Sequence, residues 1–205
     1  MDRRHVVRVM GLTLGSPLAL AAAARAQTAG GTAPAPAPQA PALEGPDPAP
    51  EVDDIVKYPA CNYCGMDRRR FHHTRMLIHY ADDSVDPLCS LRCAVTSLTM
   101  HLGKVPKAIW VGDNAAGGDP MPLTDAEKAT YLVGSSIRGV MTRRSKVAYS
   151  TPEAAARAMA ASGGETADFD KTLLAAYTDV AESVSRYLET NAERLAKRGE
   201  KDAAK

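Results

Sequence analysis

The sequence predicts an α+β fold: two small ββαβ, treble-clef-like units followed by a C-terminal helix. Three observations carry that prediction. Strand-like and helix-like runs occur twice in the order strand, strand, helix, strand between residues 75 and 167. All four cysteines of the 205-residue chain fall in two clusters, Cys61-Asn62-Tyr63-Cys64 and Cys89-Ser90-Leu91-Arg92-Cys93. Beyond residue 170, apolar residues recur at spacings of four and three, the stripe of one long helix.

The elements follow in chain order. Residues 75–80 (RMLIHY) read as a strand, 81–84 as a turn, and the chain near Val85 as a second strand. Cys89 opens a helix with Leu91, Val95, Leu98 and Leu102 on one face, closed by Gly103. Residues 107–111 (KAIWV) form the next strand, and the Gly/Pro/Asp-rich 112–122 is a loop. Residues 130–133 and 146–149 are strands around the Gly139-Val140-Met141 loop. Thr151-Pro152-Glu153 starts a helix, with Thr as cap and Pro in the first turn. That helix stops at Gly163-Gly164, and 165–167 supplies the last strand. The long helix spans about 170–194, with Leu173, Tyr177, Val180, Val184 and Tyr187 as its stripe, laid against its own domain, and 197–205 is a frayed charged tail.

The N-terminus has a different character. A basic start through Arg3, Arg4 and Arg8, an apolar run over 9–24 and Ala24-Arg25-Ala26 predict a signal peptide, residues 1–26, cut before Gln27. The paired Arg3-Arg4 resembles a twin-arginine export motif, so the expected compartment is the periplasm. With no cysteine in the leader, no membrane anchor is expected after cleavage. Residues 27–51, with seven prolines between Pro34 and Pro50, read as a disordered tether that buries nothing. The remaining boundaries place a metal-binding unit at 52–118, a second ββαβ-like unit at 119–169, and the helix with its tail at 170–205.

Charge and motif content exclude other classes. Without the leader the chain carries 21 basic and 23 acidic side chains, and with few aromatics it offers no footprint for nucleic acid. No Ser/His/Asp set, no paired carboxylates in an apolar context and no phosphate loop appear, so no enzymatic activity is expected.

The cysteines carry the chemistry. C-x-x-C in a loop, followed by two thiols one helical turn apart, is the spacing of a zinc knuckle, and four thiolates would close a tetrahedral zinc site. Two disulfides are the alternative for an exported chain. A bridge between Cys89 and Cys93 on one helix would close little and strain the geometry. A redox C-x-x-C is a third use. Met66, two residues past Cys64, adds a thioether, and thiolate with thioether suits Cu(I) better than zinc. Met141 sits in a polar loop with no apolar reason to be there and could close the site. His72, His73, His79 and His101 receive no role.

Together these residues resemble the nitrous-oxide reductase accessory protein family NosL, in a subgroup written C-x-Y-C-G-M-D-R. The resemblance covers 61–68, 73–76 with the following strand, 86–94, 131–142, and 163–170. It implies an exported, copper-binding protein of two ββαβ-like halves related to treble clefs. Its implied role is supplying Cu(I) to apo nitrous oxide reductase, or to another copper-carrying assembly factor, for the copper-sulfide centre. Carried over by position, Cys64 and Met66 are the implied primary copper ligands and Met141 the implied distal one. Cys89 or Cys93 is the expected third thiolate. Cys61 and Cys93 remain open to three uses: further copper ligands, a separate zinc, or a disulfide. A periplasmic thiol-disulfide protein and a structural-zinc knuckle are the alternative functions.

Overall fold

The computed structural model describes residues 41–203, with side chains to residue 198, so the expected signal peptide and the tether up to residue 40 lie outside the described residues. The chain forms α1 (Asp54–Lys57), β1 (Met76–Tyr80), β2 (Val85–Leu88), α2 (Leu91–Met100), β3 (Pro106–Gly112) and β4 (Leu123–Asp125). There follow β5 (Thr130–Val133), β6 (Lys146–Tyr149), α3 (Pro152–Ser162), β7 (Glu165–Ala167) and α4 (Phe169–Ala203). The fold is α+β, and all strand pairs within its two sheets are antiparallel.

The two sheets repeat one topology. In the first, the order is β2-β1-β3-β4; in the second it is β6-β5-β7. In each, the first strand of a ββαβ unit sits between its second and third, with a helix on the crossover. β1 is buried along its whole length because it has a neighbour on either side. Its alternation sends Met76, Ile78 and Tyr80 into the main core. Each fully buried aliphatic side chain there contributes about 1.5–3 kcal/mol.

That core crosses both units. Cys61, Met76, Leu88 and Val95 belong to the same cluster as Tyr131, Val133, Val140 and Ala148. The sheets also touch through backbone: the Asn114 N–H donates to the Ala148 carbonyl at 2.9 Å. α2 lies on β1, where Tyr80 Oη and Ser97 Oγ are 3.2 Å apart.

Three expectations are corrected in detail, and one strand was not foreseen. Leu102 does not share the buried face of α2, because the helix ends at Met100 and Leu102 is 84% exposed. The loop expected over 112–122 is followed by a short fourth strand, β4, paired with β3. The end of the segment expected to bury nothing docks on the body: Glu44 bridges Val85, Leu43 packs on the core, and Asp47 accepts hydrogen bonds from Lys57 Nζ and Tyr58 Oη. The expected frayed tail is helical to Ala203. Among the described residues, no helix is long and apolar enough to cross a membrane.

Candidate metal centre

The knuckle is built by two backbone hydrogen bonds. The Cys61 N–H donates to the Met66 carbonyl, and the Gly65 N–H donates back to the Cys61 carbonyl, each at 2.9 Å. Closing so tight a turn puts Gly65 at φ 69°, a left-handed conformation that glycine adopts without a Cβ clash. The opposite wall is the head of α2, entered straight from β2. Thr74 Oγ1 donates to the Cys89 carbonyl at 2.9 Å, fixing that entry.

Between these walls the four cysteines meet. Their sulfurs all lie within 4.8 Å of one another. Cys64 Sγ stands 3.5 Å from Cys89 Sγ and 3.8 Å from Cys93 Sγ, and Cys89 Sγ is 3.8 Å from Cys93 Sγ. Four sulfurs at about 2.3 Å from a central ion would stand about 3.8 Å apart. The spacing matches a metal centre, and all four cysteines are free thiols. The alternative of disulfides among them is not formed.

Burial divides the set. Cys61, Cys89 and Cys93 are at most 2% exposed, while Cys64 is half-buried at the rim. The neighbouring Cys89 and Cys93 thiols hold Cys61 below the ordinary thiol range. Cys89 is in turn pushed up to about 12, first by its hydrogen bond to Cys61. Cys93 is pushed up for the same first reason.

Met66 and Met141 stand differently. Met66 is half-buried and packs on the core cluster that contains Cys61, Cys89 and Cys93. Met141 is 41% exposed, at φ 59°. Its neighbours Val140 and Thr142 line a small cavity with Thr74, Ser90, Leu91 and Arg92, so its loop packs on the head of α2. The structure thus assembles the four thiols, keeps Met66 in the same turn as Cys61 and Cys64, and brings the Met141 loop to the head of α2. Two of the histidines have other partners: the Met121 N–H donates to His72 Nδ1, and His79 Nε2 is 3.0 Å from Asp83 Oδ1.

Sequence reasoning missed the scaffold behind the knuckle. Arg68 looks like one member of a basic run with Arg69 and Arg70, yet it is fully buried. Its guanidinium donates to the carbonyls of Tyr58 (2.6 Å), Met76 (3.1 Å), Leu88 (3.2 Å) and Asp54 (3.2 Å), and to Asp54 Oδ2 (2.8 Å). Arg75 clasps the same carboxylate from the other side, at 2.9 and 3.0 Å. One buried Asp thus holds two arginines that gather the backbone just ahead of Cys61 and Cys89. Asp86, also fully buried, accepts from Asn62 Nδ2 at 2.9 Å and from Ser97 Oγ, tying the knuckle to α2. Only the phase of Asp86 in a strand could have hinted at its burial. For Arg68 no signal distinguishes it from its exposed neighbours.

A second carboxylate secures the Met141 loop. Asp179 on α4 accepts from Thr142 Oγ1 (2.7 Å), from Arg144 (2.6 and 3.0 Å) and from the buried Lys146. Burial pushes Asp179 upward, but the hydrogen bonds from Lys146, Thr142 and Arg144 outweigh it and hold the carboxyl below its ordinary value of 3.8.

Fold and thiol cluster together define a class: a small α+β protein with a cysteine centre suited to a soft metal ion. The family model for NosL matches residues 52–175, more than half of the chain, and the chain belongs to the NosL family. Two solved structures are similar to it. The copper chaperone NosL from Shewanella denitrificans aligns with a TM-score of 0.47 at 21% identity, covering 63% of this chain and 94% of that one. The solution structure of apo-NosL from Achromobacter cycloclastes aligns with a TM-score of 0.33 at 27% identity, covering 46% of this chain and 82% of that one. A search of curated protein sequences returned no match.

Proposed function

We propose that this chain is an exported copper-binding accessory protein that carries Cu(I) and delivers it to apo nitrous oxide reductase for assembly of the copper-sulfide centre. Membership of the NosL family supports the copper-handling role. The observation that carries the reading is the asymmetry of the thiol cluster. Three sulfurs are sealed in the core and one, Cys64, stands at the rim with the Met66 thioether two residues away. A carrier needs soft donors that keep a monovalent ion from water and one ligand an acceptor can reach.

In this reading Cys64 and Met66 are the exchangeable ligands, and Cys89 or Cys93 is the third donor. Met141 reaches the ion from the loop on the head of α2. Its left-handed backbone costs about 1–2 kcal/mol, and the loop bears that cost with a thioether in place of glycine. The ion is cargo and undergoes no turnover on the protein. Export is through the 1–26 leader to the periplasm.

Anaerobic competition with a chromogenic Cu(I) chelator tests this. Cys64→Ala and Met66→Ala should each weaken Cu(I) binding by more than the about 10–100-fold that loss of an outer partner costs, with the fold intact. Unchanged affinity in both would sink the assignment.

One observation favours a second reading. The S–S separations of 3.5 to 3.8 Å also suit four thiolates closed around structural zinc. Under that reading the protein as purified holds one zinc, and Cys61→Ala unfolds the first unit on loss of the metal.

A further inference from the structure

α4 runs for 35 residues, and only its first turns are buried against the rest of the chain. Its first turns bury Thr172, Ala176 and Asp179, and Val180 packs on the core beside α2. From Val184 onward about 20 residues, about 30 Å of helix, continue past the last of these contacts. Their stripe does not stop with the contacts. Val184, Tyr187, Leu188 and Leu195 share one arc of about 100° with Leu173, Tyr177 and Val180. These four side chains are between 51% and 67% exposed. At its inner end the stripe runs into an apolar groove lined by Val95, Thr96, Thr99, Met100, Tyr177 and Val180. A helical arm of this length is marginal in water without a partner for its apolar face.

Charge along the arm identifies that partner. Residues 182–193 carry three glutamates against one arginine, whereas 194–198 carry three basic residues and no acidic one. The arm is negative near the body and positive at its tip. Two such arms laid antiparallel set each positive tip against the other's negative base, while parallel arms would stack like on like. Asn191 falls within the apolar arc, where one polar residue in a helix seam selects register and pairing.

We propose that this face is the seam of an antiparallel homodimer, in which the α4 arm of a second copy lies along the α4 arm of the first and reaches toward its α2/α4 groove. The two-fold arrangement is closed, so it makes a dimer and not a filament.

Light scattering on the purified chain tests it, and no metal is required. The chain should run at twice its 21.7 kDa mass. The double variant Leu188→Glu/Leu195→Glu should associate about a hundredfold more weakly or worse, because it places unpaired carboxylates in the seam. Its circular dichroism in the tryptophan region, which reports Trp110 in β3 and none of the seam tyrosines, should be unchanged. Carbodiimide should cross-link Glu189 or Glu193 of one copy to Lys197 of the other. A wild-type monomer, a dimer that survives the double substitution, or cross-links that fit only parallel arms would each overturn the proposal. A monomer that sediments with anionic lipid vesicles would reassign the stripe to a membrane surface and equally end the dimer.

Discussion

The two ββαβ units share strand order and connection, yet only the first has a helix head that can take part in metal chemistry. α3 begins in the standard manner, with Pro152 in its first turn and Thr151 Oγ1 accepting the Ala154 N–H at 3.3 Å. α2 begins at Ser90, whose side chain makes no capping bond, and its head carries Cys89 and Cys93 in the core. A helix N-terminus is a region of positive potential that stabilises thiolates. In the second unit that potential is met by a hydroxyl cap; in the first it faces sulfur. The topology supplies a frame twice, and the residues at one loop and one helix head decide which copy carries chemistry.

The comparison can be broken first at its scaffold. Asp54→Ala removes the single carboxylate between Arg68 and Arg75 and leaves two buried guanidinium groups facing each other. The expected loss is about 3–5 kcal/mol, read as a lower urea midpoint, with metal binding lost alongside. A loss under about 1 kcal/mol would show that the pair is not what holds the knuckle.

Asp179→Ala attacks the second unit instead and should cost less, about 2 kcal/mol, since Arg144 can turn to water while Lys146 stays buried. The thiols are untouched, so metal stoichiometry should hold. The sign with pH also follows. A carboxyl held below its ordinary 3.8 contributes stability above that pH and loses it as pH falls through the folded value. Acid unfolding should therefore be less steep in the variant. An unchanged acid limb would remove Asp179 from the account.

The smallest contrast is the sharpest about the helix heads. Thr151→Ala should cost about 1 kcal/mol, and Ser90→Ala less than that, because only Thr151 caps with its side chain. Thermal or urea denaturation of the two variants side by side decides it. Equal costs would show that α2 is capped by Ser90 after all.

Much of this was legible in the sequence, for physical reasons. Short apolar runs marked β1 and β5, and Thr151-Pro152 marked α3, because those signals are local. The cysteine spacing located the site because both clusters sit at element boundaries that a sheet and a helix must bring together. What was not legible depends on tertiary neighbours. Arg68 differs from Arg69 and Arg70 only in what surrounds it. β4 is three residues long in a Gly/Pro-rich stretch, and its existence depends on the free edge of β3. Leu102 keeps helical phase with Leu91, Val95 and Leu98 but lies beyond Met100, where the helix has already stopped.

The central claim, that the first unit holds an exchangeable Cu(I) ion through sulfur, is tested most directly by copper K-edge X-ray absorption on the anaerobically loaded chain. The expected spectrum shows Cu(I) with two or three sulfur neighbours, and the sulfur shell changes in Cys64→Ala and in Met66→Ala. A chain that excludes copper and keeps one zinc with four sulfur neighbours at about 2.3 Å would contradict the claim and leave a structural knuckle in its place.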